Sequence, residues 1–312
     1  MTLVCRSTGG RGLRWMLTTP CHARRPLSSS SSRFEPVELA ADEYNPSSSS
    51  SSSHHDDTKR QQSPIVILHG LYGSKSNWRS MAKAMAQQLN THVHALDLRN
   101  HGTSPHAKQV TYRDLANDVA HYIDKHELKD VTLLGHSMGG KVAMSLALEP
   151  HEAIQRLVVV DIAPGSGKIS PEFKTYLETM KQINNEKVTS RKQADEILQK
   201  VEPDFGVRAF LLTNLELDEQ SNSKTFKFRL PLDYFENAIE EIGLFPFEPS
   251  TRTFDKPTLF IKGEKSKYIN KRNIPLCQEY FPNSKISVLP TGHWVHAEKP
   301  KEFIQELANF LQ

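Results

Sequence analysis

The sequence predicts an α/β protein: a mostly parallel central sheet with helices on both faces and an inserted helical cap. Three observations carry this expectation. From Pro64 to Val160, short apolar runs alternate with segments whose apolar residues fall at helical spacing, the order of strands joined by crossover helices. From Gly165 to Asp255 only helical stripes appear, and strand character resumes at Thr258. The strand-like runs end in turns that carry His, Asp, Ser or Gly, and in parallel sheets functional residues gather beyond the carboxyl ends of the strands.

Met1 to Phe34 holds six arginines, many serines and threonines, and no acid. That is the composition of a mitochondrial presequence, so residues 1–34 are expected to address the protein to the mitochondrion, and to its matrix. Leu13 to Leu17 is too short, and too interrupted by Arg14, to be the core of a secretory signal. The formal charge of +3 comes from this segment: without its six arginines the 39 basic residues become 33 against 36 acidic, or −3. Overall charge therefore gives no ground for a nucleic-acid partner, and no run approaches the apolar length of a membrane span. Cys5 and Cys21 leave with the presequence. Cys277 then stands alone, which rules out a disulfide framework or a cysteine metal site.

Residues 35–63 read as a possible first strand, Val37 to Tyr44, followed by a flexible linker. Its seven consecutive serines, Ser47 to Ser53, and the polar residues after them cannot build a core. His54-His55-Asp56-Asp57 belongs to that solvated stretch rather than to a metal site. The core is assigned to residues 64–164 and 256–312, the cap to 165–255.

Ile65 to Leu68 is an apolar strand ending in H-G-L-Y-G. Trp78, Met81, Ala82, Met85 and Leu89 form the stripe of a helix. Val93 to Leu98 is the next strand and runs into D-L-R-N-H-G-T-S-P-H. Thr111, with Asp114 three residues on, opens a helix marked by Leu115, Val119, Tyr122 and Ile123. Val131 begins a strand, a G-H-S-M-G turn and a further helix; Leu157 to Val160 is a strand ending at Asp161. In the cap, helices are expected after Ser170-Pro171, after Ser190, over Phe210 to Leu215 and over Tyr234 to Ile242. Thr258 to Ile261 and Ile286 to Leu289 are the last strands. A closing helix starts at Pro300, with Phe303, Ile304, Leu307 and Phe310 facing in.

The turn Gly135 to Gly139 is G-x-S-x-G between an apolar strand and a helix, the arrangement that projects a serine hydroxyl clear of both elements. Ser137 needs a base within reach, because a serine hydroxyl is a poor nucleophile at neutral pH. His293, in T-G-H-W after the last strand, is the candidate, ahead of His296. His136 and His69 are read as structural. The histidine in turn needs a carboxylate to fix its tautomer. Asp161 is preferred, with Glu264 after the Thr258 to Ile261 strand as the alternative; Asp97 is read as a structural acid holding the Arg99 to Ser104 loop. The chain order Ser137, Asp161, His293 is the expected one. The backbone N–H groups of Met138 and Leu71 are the candidate oxyanion donors.

Together, H-G-L-Y-G-S-K-S-N-W, D-L-R-N-H-G-T-S-P-H, G-H-S-M-G-G-K-V-A-M, V-V-V-D-I-A-P, L-L-T-N-L and G-H-W-V-H-A-E-K-P resemble one branch of the α/β-hydrolase family. That branch holds the mitochondrial alpha/beta-hydrolase domain-containing protein eleven, small bacterial esterases and yeast ethanol acetyltransferases. The resemblance runs from about Pro64 to Gln312. It implies the acid at V-D-x-A-P, which is Asp161; where most α/β-hydrolases carry an aspartate after the penultimate strand, this chain has G-E-K-S-K, with Ser266 near that place.

The expected function is a serine-dependent hydrolase of small-molecule acyl esters or thioesters that works through an acyl-enzyme and needs no metal or organic cofactor. The same resemblance implies an alternative, acyl transfer from acetyl-CoA to ethanol, and a binding protein on the same fold is an alternative of another class. Phe205, Phe210, Leu211, Tyr234, Phe235, Leu244 and Phe245 are candidates for an apolar lining, although core packing is the commoner use of such residues.

Overall fold

The computed structural model describes residues 35–46, 62–221 and 223–312. The predicted presequence and most of the serine-rich linker lie outside the described residues. The N-terminal strand is β1 (Ala41–Tyr44), shorter than the run from Val37 suggested. Then come β2 (Gln62–Leu68), a turn of 3-10 helix (Lys75–Trp78), α1 (Arg79–Gln88), β3 (Thr91–Leu96) and α2 (Tyr112–Lys125). Thr111 caps α2 through a reciprocal pair of bonds with Asp114, as its spacing predicts. The chain continues through β4 (Val131–His136), α3 (Met138–Ala147) and β5 (Ile154–Val160).

Among the described residues, 165–255 add no strand to the main sheet. They hold α4 (Pro171–Glu186), α5 (Arg191–Leu198), α6 (Phe205–Leu212), β6 (Leu215–Leu217), β7 (Phe226–Phe228) and α7 (Leu232–Gly243). Here the sequence reading is corrected. The helix expected over Phe210 to Leu215 starts at Phe205, because the Asp204 carboxylate accepts the Val207 N–H and caps it there. Leu215 is already in β6, which pairs with β7 as a two-stranded antiparallel ribbon that helical spacing alone did not reveal.

The closing elements are β8 (Thr258–Gly263), α8 (Ile274–Tyr280), β9 (Ser284–Leu289), α9 (Val295–Glu298) and α10 (Pro300–Leu311). Among the described residues the main sheet has seven strands in the order β1-β3-β2-β4-β5-β8-β9. All neighbours are parallel except the edge strand β1, which runs antiparallel to β3. Alternate residues of one strand feed opposite faces, the period of two that a covered sheet requires. Ile65 and Ile67 pack with Met85 of α1 and Phe303 of α10. Val66 and Leu68 pack on the other face with Val119 of α2, Val142 of α3 and apolar residues of α4 to α7. The cluster that includes 165–255 is thus continuous with one face of the sheet.

Candidate active site

β4 and α3 meet at Ser137, whose backbone lies at φ 53° and ψ −118°. A non-glycine residue is held there only when its surroundings over-determine it. The two flanking glycines do this: a Cβ on Gly135 would lie 2.2 Å from the Gly139 oxygen, and one on Gly139 would lie 2.3 Å from the Leu68 oxygen. The Ser137 N–H donates to the Val160 oxygen at 3.0 Å, which pins the turn to β5.

Asp161 ends β5, fully buried and itself at φ 52°. Its Oδ1 accepts the Gly263 N–H at 3.0 Å, and its Oδ2 accepts Nδ1–H of His293 at 2.7 Å. A carboxylate on Nδ1 leaves Nε2 as the bare nitrogen of the neutral imidazole. The Tyr268 ring packs on the His293 ring at 4.3 Å between centroids. Glu264, the alternative acid, is exposed, and its backbone N–H bonds the Leu289 oxygen. The structure therefore brings Asp161, and not Glu264, to His293.

Four other histidines at this edge are fixed by backbone bonds or rings. The Leu98 N–H donates to Nε2 of His69, whose Nδ1–H donates to the Gly70 oxygen. The Tyr72 N–H donates to Nε2 of His101, whose Nδ1–H donates to the Arg99 oxygen. These two rings tie the H-G-L-Y-G turn to the D-L-R-N-H-G loop. His136 donates from Nε2 to the His293 carbonyl at 3.0 Å, and His296 stacks on Trp78 at 4.0 Å. Burial pushes all four rings toward the neutral form, His101 and His296 down to about 3. Asp97 accepts the Lys75 N–H, the Thr103 N–H and the Lys75 ammonium, so it holds the loop as expected.

Leu71 and Met138 are buried, and neither backbone N–H has a protein acceptor among the described residues. Two cavities meet along Leu71, Ser137 and Phe173. The larger, of about 570 Å³, is walled by Trp78, Val207, Phe210, His293 and Trp294. The smaller, of about 220 Å³, reaches past Met138 and Lys141 to Tyr112 and Ile242. Of the apolar lining candidates, Phe210 faces the larger cavity, Leu211, Phe235 and Phe245 are core, and Phe205 is 71% exposed.

Sequence reasoning missed three neighbours of the site. Asn214 donates from its side chain to the Tyr72 oxygen at 2.7 Å, next to the Leu71 N–H. Tyr268 covers the histidine. Lys141 lines the smaller cavity; its place one helical turn after Ser137 was the available signal. Among the described residues no group of three or more His, Cys, Asp or Glu side chains lies placed to hold a metal ion, and no helix is long and apolar enough to cross a membrane.

A sheet of this order, with a strained serine at its central strand-to-helix turn and a carboxylate-held histidine at the same edge, defines the α/β-hydrolase class. A family model described as the alpha/beta hydrolase fold matches residues 63–300, and the chain belongs to that family. It is 38% identical over 306 residues to a Danio rerio protein named sn-1-specific diacylglycerol lipase ABHD11, covering 96% of this chain and 91% of that one. A probable alcohol acetyltransferase of Saccharomyces cerevisiae is 38% identical over 80% of this chain and 77% of its own. A solved marine microorganism esterase superposes with a TM-score of 0.77 at 34% identity, covering 88% of this chain and 99% of that one. The chain is an enzyme of the hydrolase class whose relatives include esterases and alcohol acetyltransferases.

Proposed function

We propose that Ser137 is the nucleophile of an acyl ester or thioester hydrolase, with His293 as base, Asp161 as its orienting acid, and the Leu71 and Met138 N–H groups as the oxyanion hole. The observation that carries this is the 2.7 Å bond from His293 to the buried Asp161, beside a serine held in a strained turn and lined by two cavities. Ser137 Oγ attacks the acyl carbon and gives its proton to Nε2 of His293. The two N–H groups meet the oxygen as it becomes negative, each worth on the order of a hundredfold or more in rate. His293 returns the proton to the departing alcohol or thiol. A water activated by the same histidine then releases the acid and frees Ser137. Asp161 stabilises the imidazolium without taking its proton.

Residues 165–255 are read as a cap over this edge, since Phe173, Val207 and Phe210 reach the larger cavity from it. The apolar lining supports a substrate with an apolar acyl or alcohol portion. The test is turnover of 4-nitrophenyl esters of graded length by the chain from Phe34, with mass spectrometry of the trapped acyl-enzyme. A burst and one acyl adduct on Ser137 are expected. Background turnover across all lengths, with no adduct, would leave the binding-protein alternative.

A second acceptor is favoured by the likeness to the yeast alcohol acetyltransferase. Ethanol added to the same assay forms an ethyl ester if the cavity excludes water well enough for alcohol to compete. The presequence reading places the protein in the mitochondrial matrix; it rests on the arginine-rich, acid-free residues 1–34. Import into isolated mitochondria and N-terminal sequencing of the imported chain test it.

A further inference from the structure

Lys141 is 6% exposed and sits one turn along α3 from Ser137. Its ammonium donates two bonds of 2.8 Å, to the Gly243 and Leu244 carbonyls at the end of α7. It also lies 5.5 Å from the centroid of the Tyr112 ring. An ammonium has three N–H donors, and two are used. No carboxylate pairs with it among the described residues, and burial alone pushes it down to about 8. Buried charges are ordinarily paired, because desolvation is costly. This one instead lines a cavity that also holds Ser137, Leu71 and Met138.

We infer that the smaller cavity receives an acyl chain bearing a carboxylate at its far end, and that Lys141 is the counter-ion that selects it. The inference rests on Ser137 being acylated and names the acyl class. Three features of the cavity support it. Its volume of about 220 Å³ is roughly seven water volumes, room for a short chain rather than a fatty acyl group. The Lys141 N–H donates to the Ser137 carbonyl at 3.1 Å, which sets the two residues one turn apart on the wall of the same cavity. Of the other walls, Ile162, Ile242 and Leu276 are apolar, and the second cation, Lys168, is exposed to solvent, so Lys141 is the buried charged partner for the carboxylate. The departing alcohol or thiol then lies toward the larger cavity, past His293, where it collects its proton. Without such a substrate Lys141 keeps its two carbonyls and stays desolvated.

The experiment compares kcat/KM for the 4-nitrophenyl monoester of adipic acid with that for the hexanoate ester, which has the same number of acyl carbons and no charge. The wild-type enzyme is expected to favour the adipate ester. Lys141→Met should lower the adipate-to-hexanoate ratio by on the order of ten- to a hundredfold, the worth of a charge-assisted hydrogen bond. Lys141→Arg keeps the cation and should restore most of the ratio. In the wild type the ratio should fall as the pH rises through about 8, where Lys141 loses its charge, and Lys141→Arg should abolish that fall. Should the methionine variant not fold, free adipate as a competitive inhibitor of wild-type hexanoate turnover gives the same reading. It should bind more tightly than hexanoate below pH 8 and lose that advantage above it. A ratio unchanged in Lys141→Met, or adipate no better than hexanoate as an inhibitor at any pH, overturns the inference and leaves Lys141 a structural tie. If neither ester is turned over and a fluorophosphonate leaves Ser137 unlabelled, the hydrolase reading itself has failed, which is a different result from hydrolysis of hexanoate alone.

Discussion

The two sides of the cavities are held by different kinds of contact. On the sheet side, polar groups of the loops are matched closely: Asp161 serves Gly263 and His293, His69 and His101 join two turns through four backbone groups, and Asp97 gathers the Lys75–Thr103 region. On the side of residues 165–255, the contact is mostly apolar, with a few bonds that end on backbone carbonyls: Asn214 to Tyr72, Tyr72 to Phe173, Tyr112 to Ile242, and Lys141 to Gly243 and Leu244. A carbonyl is present whatever the residue. Apart from Asn214, whose own side chain makes its tie, the second side can therefore change its side chains, and with them the substrate, while the ties to the first side persist.

The contrast breaks most sharply at the serine. Ser137→Ala should reduce ester turnover by on the order of 10⁴- to 10⁶-fold and remove the burst, with the melting temperature kept; a loss under tenfold would move the nucleophile elsewhere. Asp161→Asn comes next, at about 10³- to 10⁴-fold in kcat, because the amide favours the wrong tautomer of His293. Glu264→Gln, measured beside it, should stay within about twofold. Equal damage from both would reverse the choice of acid.

The buried histidines make the sheet side sensitive to acid. Their folded pKa values lie below the unfolded value near 6.5, so above that pH they contribute their full stability. As the pH falls from about 6.5 toward 3, the unfolded chain takes up protons that folded His101 and His296 refuse, and stability drops. Urea unfolding from pH 8 to pH 4 should lose several kcal/mol, and a flat profile across that range would contradict the neutral assignment.

Smaller effects distinguish the two sides further. Asn214→Ala leaves the Tyr72 carbonyl short of a donor beside the Leu71 N–H, costing about 1–3 kcal/mol. It should lower kcat by about tenfold with little change in KM. Phe210→Ala enlarges the wall of the larger cavity. It should shift KM severalfold and the preferred ester length, with kcat nearly kept; the length series measures this directly.

The same contrast governs what could be read from the sequence. Ser137, Asp161 and His293 sit at strand ends, where an apolar run breaks into a polar or glycine-bearing turn, so period and motif find them together. The central strands read well because β4 and β5 are nearly continuous apolar runs with no competing pattern. Residues 205–228 read poorly: Phe210, Leu211, Leu212 and Leu215 look like one helix, and only the Asp204 cap and the pairing of β6 with β7 divide them. The short α8, after Lys267 to Asn273, has too few turns for a period to show. Asn214 and Lys141 act through contacts with residues more than a hundred positions away, to which local spacing is blind.

The elbow also sets a conflict between selection for stability and selection for activity. At φ 53° a glycine would rest more easily than Ser137 does, since a left-handed backbone costs a side-chain-bearing residue on the order of 1–3 kcal/mol. A search for heat-resistant variants that ignores turnover will thus be drawn to Ser137→Gly, and with Ser137 as the proposed nucleophile it would return proteins that survive heating and do nothing. A position such a campaign must hold fixed is thus one where the fold would gain from yielding.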